Sequence, residues 1–194
     1  MSLRLGICAV LIVLVGVPLY AFPATLSLPP GPRPGLDRMT ISQAAGQLRT
    51  SGKADMALVE AARVLVESRM VYSRRNSFDS YGTAFERGYG YCSQHANALA
   101  DLLTQLDFDA KVVHAFRNRF PDGTVTSHAW VQVLVDDEIR YVDSLFYDAS
   151  VAEITFVPLS EVQEVSVALR LLESWGAPSV NAHRFYLTGK DQDW

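Results

Sequence analysis

Apolar residues follow one another almost without a break from residue 5 to residue 24, with Arg4 the one charge ahead of them. A run of that kind is about as long as the ~20 residues that cross a bilayer as a helix. It gives way to Pro29-Pro30-Gly31-Pro32-Arg33-Pro34-Gly35, a stretch that can extend but cannot build a helix or a central strand. From Thr40 the spacing turns helical, over residues 40–48 and again over 55–72, where Leu58, Ala61, Val64, Leu65 and Val71 recur near a helical period. Residues 73–90 are polar, aromatic and glycine-bearing without a period, the composition of a shaped loop. Beyond them Ala96, Leu99, Leu102, Leu103 and Leu106 predict a helix of roughly fourteen residues that begins at or just before Cys92.

The pattern then changes period. Residues 111–116, 128–135 and 139–143 are short and rich in β-branched and aromatic types, separated by Pro121-Asp122-Gly123 and Asp136-Asp137. They predict an antiparallel meander. The last forty-odd residues suggest a helix over 161–175 and a short apolar run, Phe185-Tyr186-Leu187, before a polar tail. With no repeat in view, the chain divides into a hydrophobic segment over 1–24, a Pro/Gly-rich spacer over 25–38 and one domain over 39–194.

Composition narrows the function classes. Seventeen basic and twenty-one acidic residues give a net charge of −4, and the basics are scattered apart from Arg74-Arg75 and the Arg117/Arg119 pair, so no nucleic-acid footprint is expected. Around Ala21 and Ala24 the −3 positions hold Leu19 and Phe22, a poor fit to signal cleavage. An uncleaved anchor is the preferred reading, a cleaved signal the alternative. Arg4 favours a cytoplasmic N-terminus, although Arg33 and Arg38 blunt the asymmetry, and the domain is then expected outside the cytoplasm, membrane-anchored or, after cleavage, secreted or periplasmic. Cys8 lies inside the hydrophobic run, which leaves Cys92 a lone thiol in an oxidising compartment, either buried as a small hydrophobe or used as a nucleophile.

Thiol chemistry needs a thiolate, a base within reach and a third group that orients the base. A helix N-terminus favours the thiolate and offers N–H groups to a developing oxyanion, and Gly90 allows close backbone approach. His128 and Asp143 are the candidate base and carboxylate. A four-residue turn over residues 134–137 would make them directly opposed partners across a hairpin, with Cβ atoms about 5 Å apart, and other turns shift this by a residue or two.

The order Gly90-Tyr91-Cys92, a helix carrying Ala96 and Ala98, His128-Ala129-Trp130-Val131-Gln132-Val133 and Tyr141-Val142-Asp143 resembles the transglutaminase-like superfamily over roughly residues 81–147. The resemblance implies a papain-like α+β fold, the transglutaminase core, with the nucleophile helix packed on an antiparallel sheet. It also implies Cys92 as nucleophile, with His128 and Asp143 completing the triad. The chain departs from the family where it has Asp109-Ala110-Lys111 in place of proline and arginine, and Ser144 in place of proline after the aspartate. These departures bear on substrate class. No tryptophan precedes Cys92 to serve as a second oxyanion donor, for which Tyr81, Tyr89 or Gln94 are substitutes.

The expected reaction is acyl transfer on an amide bond of a peptide, protein or cell-envelope substrate, of peptidase, amidase or transglutaminase type, with no cofactor and no metal. His95 invites a metal reading, but no clustered partner accompanies it. His114 and His183 read as core or surface residues, Trp130 as core or cleft lining, and Tyr147 and Asp148 as a turn. The rival is a catalytically silent binding or assembly module at the membrane, which would show ordinary thiol reactivity.

Overall fold

The computed structural model describes residues 32–73 and 79–165. The hydrophobic segment over 1–24, His183 and the run at 185–187 lie outside the described residues. Among those that are described, no helix is long and apolar enough to cross a membrane.

Two helices open the domain, α1 (Ile41–Arg49) and α2 (Asp55–Arg69). Thr40 starts α1 with a capping box, its hydroxyl taking the Gln43 N–H while the Gln43 side chain returns a bond to the Thr40 N–H. The second helix stops earlier than its spacing suggests. At Val71 the chain turns extended, and β1 (Val71–Tyr72) pairs in parallel with β2 (Tyr89–Gly90), the Val71 and Ser73 N–H groups donating to Gly88 and Gly90. The packed unit also begins ahead of Met39: the Arg33 amide donates to Arg87 and the Arg69 guanidinium to the Asp37 carbonyl.

The expected loop between them contains a helix, α3 (Tyr81–Arg87). Ser80 caps its start by accepting from Thr83, and Gly88 ends it at φ 85°, a left-handed conformation that favours glycine. Seven residues are too few to show a period, whereas the Ser-x-x-Thr start and glycine stop are local signals.

Helix α4 (Cys92–Gln105) is the axis of the fold. It packs against α1, α2 and α3 on one side and against the sheet on the other. Ala96 and Ala98 let neighbouring backbones approach, while the fully buried Leu99, Leu102 and Leu103 fill the core shared with Val59, Val66, Phe85, Val131 and Val133. Each such side chain contributes about 1.5–3 kcal/mol by leaving water.

The sheet is built on the hairpin β3 (Asp109–Arg119) and β4 (Val125–Val135), extended by β5 (Glu138–Val142) on one side. On the other side β8 (Val157–Pro158) and β9 (Gln163–Glu164) pair with opposite halves of β3, and β6 (Tyr147–Asp148) with β7 (Glu153–Ile154) form a small ladder nearby. Alternation along β4 splits two cores. Ala129, Val131 and Val133 face the helices, and Trp130 joins Val113, Ala115, Phe120 and Phe156 on the other face. The helix expected from residue 161 is replaced at its start by β9, where Lys111 also faces Glu164, and its remainder lies outside the described residues. The architecture is mixed α+β, helices around an antiparallel sheet, as the pattern predicts.

Candidate active site

Cys92 is the first residue of α4, half-buried, at the point where the β1–β2 bridge feeds the helix. Gly90 makes this approach feasible, because a Cβ there would lie 2.6 Å from Met70 Cε and 3.1 Å from Gln94 Cβ. Gln94, one candidate for an oxyanion donor, is already engaged: its carbonyl oxygen accepts from the Tyr91 N–H and its amide donates to the Asp79 carbonyl. A helix N-terminus presents backbone N–H groups, and the thiol stands at that of α4.

The hairpin joining β4 to β5 turns on only two residues, Asp136 and Asp137, both at positive φ, with Val135 opposite Glu138 and Val131 opposite Val142. This corrects the four-residue turn. Continued past the last pair, the register sets Asp143 across from Trp130, so His128 and Asp143 meet diagonally on one face. Long side chains span a diagonal, and His128 Nε2 lies 2.5 Å from Asp143 Oδ2. The second carboxylate oxygen accepts the Leu145 N–H at 3.0 Å. Both side chains are buried.

Cys92 lies close enough to His128 to favour charge on its ring. Burial opposes charge on the ring, but Asp143, through charge and hydrogen bond, and Cys92 outweigh it and push the His128 pKa up to about 10. The ring is enclosed by Phe120, Phe146 and Phe156, all edge-to-face with centroids 5.0–5.5 Å away, and Trp130 stacks at 6.3 Å. These four aromatics exclude water and hold the ring in one orientation. They come from separate segments, and of them the sequence pattern singled out only Trp130.

A bulge in β3 shapes the same region. The register shifts between Ala115, opposite His128, and Asn118, opposite Thr126. The buried Asn118 amide donates to the Ala115 carbonyl at 2.8 Å and to Thr126 at 3.3 Å, satisfying carbonyls that the bulge would strand. The β3–β4 hairpin loop so aimed forms one wall of a cleft of about 430 Å³, lined by Tyr72, Phe120, Pro121, Leu145 and Phe146 with Cys92 and His128. Among the described residues Tyr72, rather than Tyr81 or Tyr89, is the upstream aromatic that reaches this cleft. Its neighbour in the β1–β2 bridge is Gly90, a pairing that sequence spacing alone does not reveal.

His95 lies one turn along α4 from Cys92 and is buried, its Nδ1 3.0 Å from Ser144 Oγ. Burial drives its pKa down to about 4, with Asp143 opposing and His128 reinforcing the shift. The ring lies close to the backbone of Val71 and Gly90, and its Nε2 has no hydrogen-bond partner among the described residues. Among the described residues no group of three or more His, Cys, Asp or Glu could hold a metal ion. His114 is buried on β3 against Phe116, away from the cleft lining.

The sequence profile of the transglutaminase-like superfamily matches residues 42–143, which takes in Cys92 and His128 and ends on Asp143. No curated protein matches the chain. Among solved structures it is similar to a TGase at 16% identity and TM-score 0.45, covering 54% of this chain and 30% of that one. A candidate cysteine protease from Cytophaga hutchinsonii shares 12% identity at TM-score 0.45, over 75% of this chain and 53% of that one. The periplasmic domain of TgpA from Pseudomonas aeruginosa shares 22% identity at TM-score 0.41, over 66% and 49%. The chain thus spans about half or less of the length of these solved chains.

Proposed function

Since this chain belongs to the transglutaminase-like superfamily, we propose that it catalyses cysteine-dependent acyl transfer on amide bonds, with Cys92 as nucleophile, His128 as acid and base, and Asp143 as the group that orients and charges His128. The observation that carries this reading is the buried His128–Asp143 bond of 2.5 Å, made by a ring that lines one cleft with Cys92 at a helix N-terminus.

His128 takes the Cys92 thiol proton as the reaction begins, and Asp143 balances the charge this places on the ring. The thiolate attacks the amide carbonyl carbon, and the electron pair displaced onto oxygen is met by N–H groups at the start of α4. Collapse of this intermediate breaks the C–N bond as His128 gives its proton to the leaving amine, and a thioester remains on Cys92. Water or a second amine then attacks the thioester, His128 takes the proton of the incoming nucleophile, and the thiolate departs. The aromatic walls of the cleft favour an acyl donor with an apolar side chain next to the scissile bond. Peptide, protein or cell-envelope amides outside the cytoplasm are the substrates proposed, with residues 1–24 holding the domain at the membrane.

The test is the pH dependence of iodoacetamide labelling of Cys92 in the full chain. Native protein is expected to react at neutral pH as a thiolate, and His128→Ala and Asp143→Ala are each expected to move the profile toward that of an ordinary thiol, near ~8.5. A native profile indifferent to both substitutions supports the silent binding module instead.

A further inference from the structure

His95 is unused by this mechanism, yet it occupies the seam between the two halves of the site. It sits beneath Cys92 on the same helix, 1% exposed, and its Nδ1 meets the hydroxyl of Ser144, 3% exposed. Ser144 is the middle residue of a turn whose two ends are tied together, Asp143 Oδ1 accepting the Leu145 N–H. The same ring lies close to the backbone of Val71 and Gly90, the bridge that leads into Cys92. One neutral ring therefore touches the approach to the nucleophile and the turn that presents the carboxylate.

An apolar pair would fill this space without the desolvation that a buried imidazole and hydroxyl incur. What such a pair would lack is direction, because dispersion contacts hold a distance and a hydrogen bond also holds an angle. The angle counts here. Asp143 lies just past the last ladder pair of β5, where the sheet no longer constrains it.

We propose that His95 and Ser144 are a positioning pair, which locks the Asp143 turn to the nucleophile helix and so sets the angle at which the Asp143 carboxylate meets His128. The inference rests on the reading of Cys92, His128 and Asp143 as an acyl-transfer triad and adds to it two residues that touch neither substrate nor reacting atoms.

The experiment is the pH profile of Cys92 alkylation by iodoacetamide in the full chain, for native protein, Ser144→Ala, Ser144→Thr, His95→Gln and His128→Ala, with circular dichroism confirming the fold of each. Ser144→Ala is expected to slow alkylation at pH 7 roughly tenfold, as small misplacements of catalytic groups do, and to move the profile toward that of His128→Ala. Ser144→Thr, which keeps the hydroxyl, is expected to restore the native profile. Folded Ser144→Ala and His95→Gln proteins with native profiles would overturn the pair while leaving the triad standing, and so would a loss that Ser144→Thr does not rescue. A native profile indifferent to His128→Ala would remove the triad and the pair together. Should the substitutions unfold the chain, nitrogen NMR of the native protein decides: His95 is expected to stay neutral in one tautomer at pH 6, and a ring that titrates near 6.5 would end the proposal.

Discussion

Burial acts on His95 and His128 alike, and their surroundings send them in opposite directions. His95 has only a neutral hydroxyl bonded to it and is held neutral, its pKa about 4. Its folded value lies below the unfolded 6.5, so the stability it contributes is complete above 6.5 and drains away as pH falls toward 4, by up to about 1.4 kcal/mol per pH unit. His114 is shifted in the same direction by burial, and by His128. For His128, raised to about 10, the sign reverses: its contribution is complete below 6.5 and is lost as pH climbs through 10. Chemical denaturation as a function of pH is therefore expected to show weakening between pH 6.5 and 4 that is reduced in His95→Gln and unchanged in His128→Gln. Neither histidine's charge state could be read from the sequence. The partner of His95 is 49 residues away, and a side-chain contact at that separation leaves no periodic trace.

At the scale of elements, legibility follows length. Helix α4 and strands β3 to β5 were readable because their apolar positions repeat, and the Cys92, His128 and Asp143 pattern was readable because it is anchored on those elements. Helix α3 was missed because Ala84 and Phe85, its buried residues, are too few to make a period. The hairpin register was misjudged by a two-residue offset, because Asp136-Asp137 lacks the glycine that marks a two-residue turn of this kind. That mismatch yields a prediction. Both aspartates pay for left-handed backbone, so Asp137→Gly is expected to raise stability by about 1 kcal/mol, read from the midpoint of denaturant unfolding. The converse holds at Gly88, where φ is 85° and a Cβ would stand 2.9 Å from the Arg69 carbonyl oxygen: Gly88→Ala is expected to destabilise by more than about 1 kcal/mol.

For the whole molecule, α4 is the member that every layer shares, touching the three other helices and the two longest strands among the described residues. Removing a fully buried side chain from its middle leaves a void bordered by several elements that cannot all close in at once. Leu102→Ala is expected to lower stability by about 2–5 kcal/mol in denaturant titrations. The same helix explains why the family fold was foreseeable while the cleft was not. A single long amphipathic helix followed by a meander leaves few ways to bury its leucines, whereas the cleft walls are assembled from Tyr72, the β3–β4 loop and the segment after β5, whose proximity arises only on folding.

The turn at Asp107, exposed and in the left-handed region, joins α4 to β3 and divides the chain between Cys92 and the His128–Asp143 couple. The portion before it supplies the cysteine and the portion after it the histidine–aspartate couple, and folding brings the three together. On the proposed mechanism, enhanced reactivity at Cys92 is thus a property of docking rather than of either segment. A chain cut at this turn would carry its own reporter: two inert fragments whose reunion is timed by the return of a reactive sulfur.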